Sequence, residues 1–170
     1  MIGKIPMRLS ALAVLLWLVA GLPPVAHAQV PVVGATDPDA LFHSSDPRLD
    51  ANMQVAYHIE KDLLEANHWE LAGKYLTNHY EQHNPNAASG LPAVINFFTK
   101  VMHVKPTPIP AKLGIPIVSV VAMGDLVIVA TPREYKDAKH PGVSYTTTWF
   151  DMWRMKDGKA DEHWDCATKL

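Results

Sequence analysis

Apolar residues recur at helical spacing in the first part of this chain and at alternating, strand-like spacing in the last part. From residue 51, Met53, Ala56, Ile59 and Leu63 fall on one helical face, while Glu60, Lys61 and Glu65 fall on the other. Asn67 closes that helix. A second, shorter helix is predicted over 69–77, with Trp69, Ala72, Tyr75 and Leu76 on one side. The stretch 78–86 reads as a short strand running into a Pro-Asn turn. Ser89-Gly90 before Leu91-Pro92 is a helix start, because proline is tolerated in the first turn. Leu91, Val94, Phe97, Phe98, Val101 and Met102 then make a strongly apolar third helix.

The segment 104–116 carries four prolines and is a connector. Beyond it the period becomes two. Residues 117–135 form a β-branched hairpin about Gly124-Asp125, and 144–155 form a long strand. That strand turns at Asp157-Gly158 and returns over 159–167. Helix, helix, strand, helix and four strands give an α+β fold in which three helices cover one face of a curved antiparallel sheet.

The ends change the picture. Lys4 and Arg8 precede an apolar run over 9–22, and Ala26-His27-Ala28 ends it with small residues at the positions a signal peptidase reads. This is the pattern of a secretory leader, with cleavage before Gln29. The run is shorter than the ~20 apolar residues of a membrane span. The expected organisation is therefore a signal peptide over 1–28, a flexible or late-docking N-terminal segment over 29–47, and one domain over 48–170. Export places the mature protein in the periplasm or outside the cell.

Cys166 is the only cysteine, so no internal disulfide forms; its apolar strand setting suggests a small buried hydrophobe. The net charge is −2 and no basic run occurs, which argues against nucleic acid and, once the leader is removed, against membrane as partners.

Candidate chemistry gathers in the last hairpin. A regular two-residue turn at Asp157-Gly158 pairs Met155 with Ala160, Trp153 with Glu162, Asp151 with Trp164 and Trp149 with Cys166, all on one face. His163, Asp165, Arg154, Met152 and Phe150 would share the other. Asp151 and Glu162 then stand among apolar side chains, where a carboxyl group is tuned toward acid–base work. The plainer alternatives are a carboxylate at the wet rim of the sheet, or one paired with a donor such as Tyr80 or His83. His163 and Asp165 point the same way but have no third ligand at a known spacing, and His79 and His83 lie ~13 Å apart at a ~3.3 Å rise per residue. No metal site is expected. Phosphate loops and serine-nucleophile elbows are missing from the sequence.

Two segments, 80–90 (YEQHNPNAASG) and 149–165 (WFDMWRMKDGKADEHWD), resemble the strand-to-helix segment and the terminal hairpin of SnoaL-like proteins, a branch of the nuclear transport factor 2-like superfamily. The resemblance covers about 51–168. It implies a cone: a curved antiparallel sheet wrapped around a long helix, with a pocket at the wide end. The family's polyketide cyclases close rings by intramolecular aldol condensation, without metal or organic cofactor, using an acidic residue in an apolar pocket. On that resemblance Asp151 is the base, with Glu162 or His163 as its proton partner. His83 and Asn84 orient an enolate oxygen, and Trp164 walls the cavity. Tyr80, Phe97, Trp149 and Trp153 complete the expected ligand-contacting set.

The implied substrate is a small apolar carbonyl compound. The alternative is a ligand-binding or dimeric scaffold protein of the same fold without turnover. Phe150, Met152 and His163 would form an exposed apolar strip through which two copies pair as a homodimer.

Overall fold

Asp46 starts the first helix. Its carboxylate accepts from the backbone N–H groups of Arg48 at 2.8 Å and Leu49 at 3.2 Å, and Pro47 sits in the first turn. In this computed structural model, which describes residues 29–169, helix α1 runs over Pro47–His58 and continues without a break as a π-helical segment, Ile59–Glu65. Asn67 ends the run in the left-handed region at φ 62°. A 3-10 turn, Trp69–Leu71, leads into the short helix α2, Ala72–Tyr75. Strand β1 follows at Leu76–Gln82, earlier than the periodicity placed it. Helix α3, Leu91–Asn96, also ends in a π-helical turn, Phe97–Val101.

The strands β2 (Ser119–Met123), β3 (Leu126–Lys136), β4 (Ser144–Lys156) and β5 (Lys159–Trp164) form two hairpins, as the alternation predicts. The sheet order is β1-β5-β4-β3-β2. Strands β2 to β5 pair antiparallel, whereas β1 joins the edge beside β5 in parallel, so the sheet is mixed. With three helices and an unclosed curved sheet, the molecule has the expected α+β fold.

The inner face of the sheet meets the helices in one core. Val127, Val129 and Trp153 from the strands pack with Ile59, Leu63, Leu76 and Val94, all nearly inaccessible. The segment before α1 is docked. Phe42, in the 3-10 turn Asp39–Phe42, is fully buried; Ala35 N–H donates to the Ile117 carbonyl at 2.7 Å, and Asp39 accepts from Leu113 N–H at 3.0 Å. Gly34 permits that approach, since a Cβ there would stand 2.7 Å from Pro116 Cβ. The expected leader, 1–28, lies outside the described residues. Among the described residues no helix is long and apolar enough to cross a membrane.

Two local expectations are corrected. The hairpin at Asp157-Gly158 forms with both residues at positive φ, 51° and 74°, and pairs Lys156 with Lys159 and Met155 with Ala160 as expected. The register then slips at Asp161, so Arg154 faces Glu162, Trp153 faces His163 and Met152 faces Trp164. One extra residue on β5 turns every later side chain to the opposite face. The strand also stops at Trp164, which leaves Cys166 beyond it and exposed rather than buried.

Candidate functional site

The slip at Asp161 builds the site. It turns His163 inward and Glu162 outward, the reverse of a regular hairpin. His163 Nε2 lies 3.0 Å from Asp151 Oδ1, and His163 Nδ1 lies 2.7 Å from Gln82 Oε1. Three neighbouring strands, β4, β5 and β1, thus carry one hydrogen-bonded line. Trp153 and Tyr80 flank the imidazole in roughly parallel planes, at 5.3 and 6.4 Å. Asp151 and His163 are 8% and 7% exposed.

The protons on this line can be counted. Gln82 Oε1 also accepts from the backbone N–H of Asn84 at 3.1 Å, which fixes the amide with its oxygen toward the ring. Nδ1 must therefore donate. A neutral imidazole has one N–H, so Nε2 then turns a lone pair toward the Asp151 carboxylate. Two acceptors at 3.0 Å need a proton between them. The pair thus holds one shared proton, and the second oxygen of the Asp151 carboxylate is the acceptor it has left.

It opens onto a cavity of about 400 Å³ between the helices and the sheet. Leu63, Val94, Phe97 and Phe98 supply apolar wall, and Phe98 stacks on Trp69 at 3.7 Å. Arg133 lies over the Trp149 ring at 5.5 Å, and both line the cavity. Three buried polar groups on its lining have no partner among the described residues: Glu60 Oε1, Trp69 Nε1 and Thr131 Oγ1. Unsatisfied buried polar atoms are uncommon, and three on one cavity mark it as a place where a bound molecule, water or ligand, supplies the missing bonds.

Glu60 is 2% exposed, and its carboxyl is pushed up to about 8. Burial is the main cause, Asp151 and Glu65 add to it, and Arg133 opposes it. Tyr80 hydroxyl accepts from Trp153 Nε1 at 3.2 Å, and burial pushes its phenol upward. Asn84 Nδ2 donates to Asp165 Oδ2 at 2.7 Å on the same lining, and Asp165 Oδ1 accepts from Ala167 N–H at 2.9 Å.

With fold and cavity in view, the relatives can be compared. Residues 55–163, more than half of the chain, match the SnoaL-like domain. The chain belongs to the SnoaL-like family. Among solved structures, a protein from Acidithiobacillus ferrooxidans named as a polyketide cyclase aligns with TM-score 0.51 at 12% identity, over 72% of this chain and 89% of that one. A protein from Jannaschia named as a SnoaL-like polyketide cyclase aligns with TM-score 0.49 at 15% identity, over 73% and 91%. A nuclear transport factor 2-like protein of unknown function from Burkholderia pseudomallei gives 0.46 at 18%, over 68% and 88%. At such identities the likeness concerns fold alone. No curated protein matches the chain.

Within this SnoaL-like domain the expected site residues divide. Asp151, His163, Asn84, Tyr80, Phe97, Trp149 and Trp153 line the cavity. Glu162, His83 and Trp164 do not; the slipped register carries Glu162 and Trp164 to the outer face, where His83, just after β1, stacks on Trp164 at 4.7 Å. There Glu162 Oε1 accepts from Arg154 Nε at 3.1 Å, and its other oxygen lies 3.6 Å from His83 Nε2.

Asp151 also supplies the third donor that His163 and Asp165 lack in sequence: one ligand atom from each of the three lies within 4.8 Å of the others, as in Glu81, His83 and Glu162. Glu60, Trp69, Thr131 and Gln82 are absent from the sequence-level list. Gln82 was findable, since it stands two residues after Tyr80 on one strand face. Glu60 was findable too: it stands four residues after Ala56 and three before Leu63, on the buried side of the helix and not on the polar side where it was expected.

Proposed function

We propose that the protein is an exported acid–base enzyme of the cyclase or isomerase kind, acting on a small apolar carbonyl compound. The observation that carries this reading is the Gln82–His163–Asp151 line, whose carboxylate end faces an apolar cavity. The second oxygen of Asp151 takes a proton from the carbon beside a carbonyl, while the 3.0 Å contact with His163 Nε2 holds the first oxygen in place. The electron pair left behind moves toward the carbonyl oxygen. Trp69 Nε1–H and the Thr131 hydroxyl, both without protein partners, are donors available to that oxygen. The resulting enolate carbon attacks a second carbonyl in a cyclisation, or is reprotonated elsewhere in an isomerisation. Phe97, Trp149 and Trp153 hold the apolar body, and Asn84 braces the strand end through Asp165.

A ligand-binding protein without turnover would use the same cavity, and the unpartnered Trp69 and Thr131 serve binding equally well. The two readings part in heavy water. Aryl methyl ketones and 1,3-diketones incubated with the mature protein are followed by proton NMR for loss of the α-C–H signal. Enzyme-dependent exchange that falls on the order of 10²-fold in Asp151→Asn supports catalysis. Saturable binding with exchange at the buffer rate supports the binding protein. Export rests on the pattern over 1–28, and sequencing the secreted protein from Gln29 tests it; an intact Met1 would refute it.

A further inference from the structure

Glu60 is an acid on the buried face of its helix, and its Oε1 has no hydrogen-bond partner among the described residues. It lies on the π-helical stretch that extends α1, where Ala66 N–H donates to the Lys61 carbonyl five residues back at 3.0 Å. The stretch buries Ile59, Glu60, Asp62 and Leu63; Glu60 shares the face of Ala56 and Leu63, and of the four only Asp62 would leave that face in a regular helix. The Glu60 carboxyl therefore leaves the helix toward the cavity, with Oε1 bonded to nothing. The sheet faces it with Asp151 from β4 and Arg133 from β3, and its own helix with Glu65. His163, Asp165 and Tyr80 line the same space.

We propose that Glu60 is a second catalytic residue, the proton donor that protonates the substrate's carbonyl oxygen while Asp151 and His163 remove the α-proton. The proposal rests on the acid–base reading above and narrows its substrate to carbonyl compounds too weakly acidic to be enolised by a base alone. The step balances. The α-C–H bond breaks and its proton goes to the Asp151–His163 pair; its electrons form the carbon–carbon π bond, and the carbonyl π electrons take the Glu60 proton. A neutral enol leaves Glu60 ionised and the pair protonated. Ketonisation reverses both transfers: the pair gives a proton to carbon, the enol O–H returns its proton to Glu60, and the cycle closes.

Burial favours this division of labour. An ionised Glu60 would leave Oε1 with no donor among the described residues, and it would face a second negative charge on Asp151. Its carboxyl sits at about 8, so it holds a proton at neutral pH. Donor and acceptor thus line one cavity, and burial keeps the donor in its working state.

The test uses the mature protein, carboxyl-carbon NMR and two probes in heavy water: 2-acetylnaphthalene, a weakly acidic monoketone, and 1-phenylbutane-1,3-dione, whose α-proton needs little acid assistance. Glu60 is expected to be protonated at pH 7, with the signal missing in Glu60→Gln; an ionised Glu60 at pH 7 overturns the proposal. Glu60→Gln is expected to lose monoketone exchange by about tenfold or more while keeping diketone exchange within about twofold. Glu60→Met, which fills the same space with no proton, should behave alike. Asp151→Asn should lose both probes. If Glu60→Gln and Glu60→Met keep monoketone exchange while Asp151→Asn loses it, Glu60 is no donor and the acid–base reading still stands. If the wild-type protein binds both probes and exchanges neither, both claims fall.

Discussion

At the scale of single residues, the site is governed by which buried groups have partners. Glu60 makes the clearest case. Below its ordinary value of 4.5 the folded and unfolded chains both hold the proton, and the group adds no pH dependence. Between 4.5 and about 8 the unfolded chain ionises first. Over that window stability falls with rising pH, by at most about 1.4 kcal/mol per unit. Above it the folded protein has ionised too and the loss is complete. Glu60→Gln removes this slope, so the variant should gain on the wild type by roughly 2–4 kcal/mol between pH 5 and pH 8. Urea unfolding of both proteins at the two pH values measures it, and equal slopes would mean that Glu60 ionises normally. Tyr80 poses the converse case. Its hydroxyl is the acceptor for the buried Trp153 Nε1. Tyr80→Phe strands that donor and should cost about 1–3 kcal/mol in the same assay.

At the scale of elements, two irregularities do the placing, and neither is visible as periodicity. The helices, the two hairpins and the Asp157-Gly158 turn follow from spacing and turn chemistry, because propensity and burial agree there. The face of each residue in β5 does not, because one unpaired residue reverses it. Asp161 is that residue. It is itself buried, accepts from Thr77 Oγ1 at 2.6 Å and lies 3.7 Å from Lys156 Nζ, so the fold holds the bulge in place. The π-helical turns carry cavity residues as well, Glu60 on one and Phe97 and Phe98 on the other, but regular helical spacing already puts these on the buried faces. The parallel docking of β1, which delivers Gln82 to His163, depends on contacts between segments 81 positions apart. Deleting Asp161 should restore a regular hairpin, turn Glu162 inward and His163 outward, and abolish the exchange that depends on Asp151. It should also cost at least about 2 kcal/mol, since Thr77 loses its acceptor and an unpaired acid enters the core. Near-native stability with intact exchange would show that the bulge does not set the site.

At the scale of the whole molecule, the same sheet presents a second, apolar face. Val121, Ile128, Met152 and Trp164 stand in one row across β2 to β5, with Met123 and Phe150 beside it. Val121, Met123 and Phe150 are 56%, 73% and 48% exposed. A contiguous apolar strip of this kind marks an interaction surface. A homodimer formed through it would include Phe150 and Met152, as the sequence suggests, but not His163, which the bulge has moved to the cavity. Alternation along β4 puts Phe150 on the outer face and Asp151 on the inner one, so pairing would cover the strip and leave the cavity open. A stable pair needs roughly 800 Å² from each partner, which four strands of apolar outer face can supply if both copies present it. The mature protein is therefore expected to sediment as a dimer at micromolar concentration, and Phe150→Glu should shift it to monomer by placing a charge at the centre of the contact. Because the substituted side chain points away from Asp151, the monomer should retain ligand binding within a few-fold. A wild-type protein that sediments only as monomer would remove the dimer. A Phe150→Glu monomer that loses binding outright would show instead that pairing holds the curvature of β4, and with it the Asp151–His163 contact.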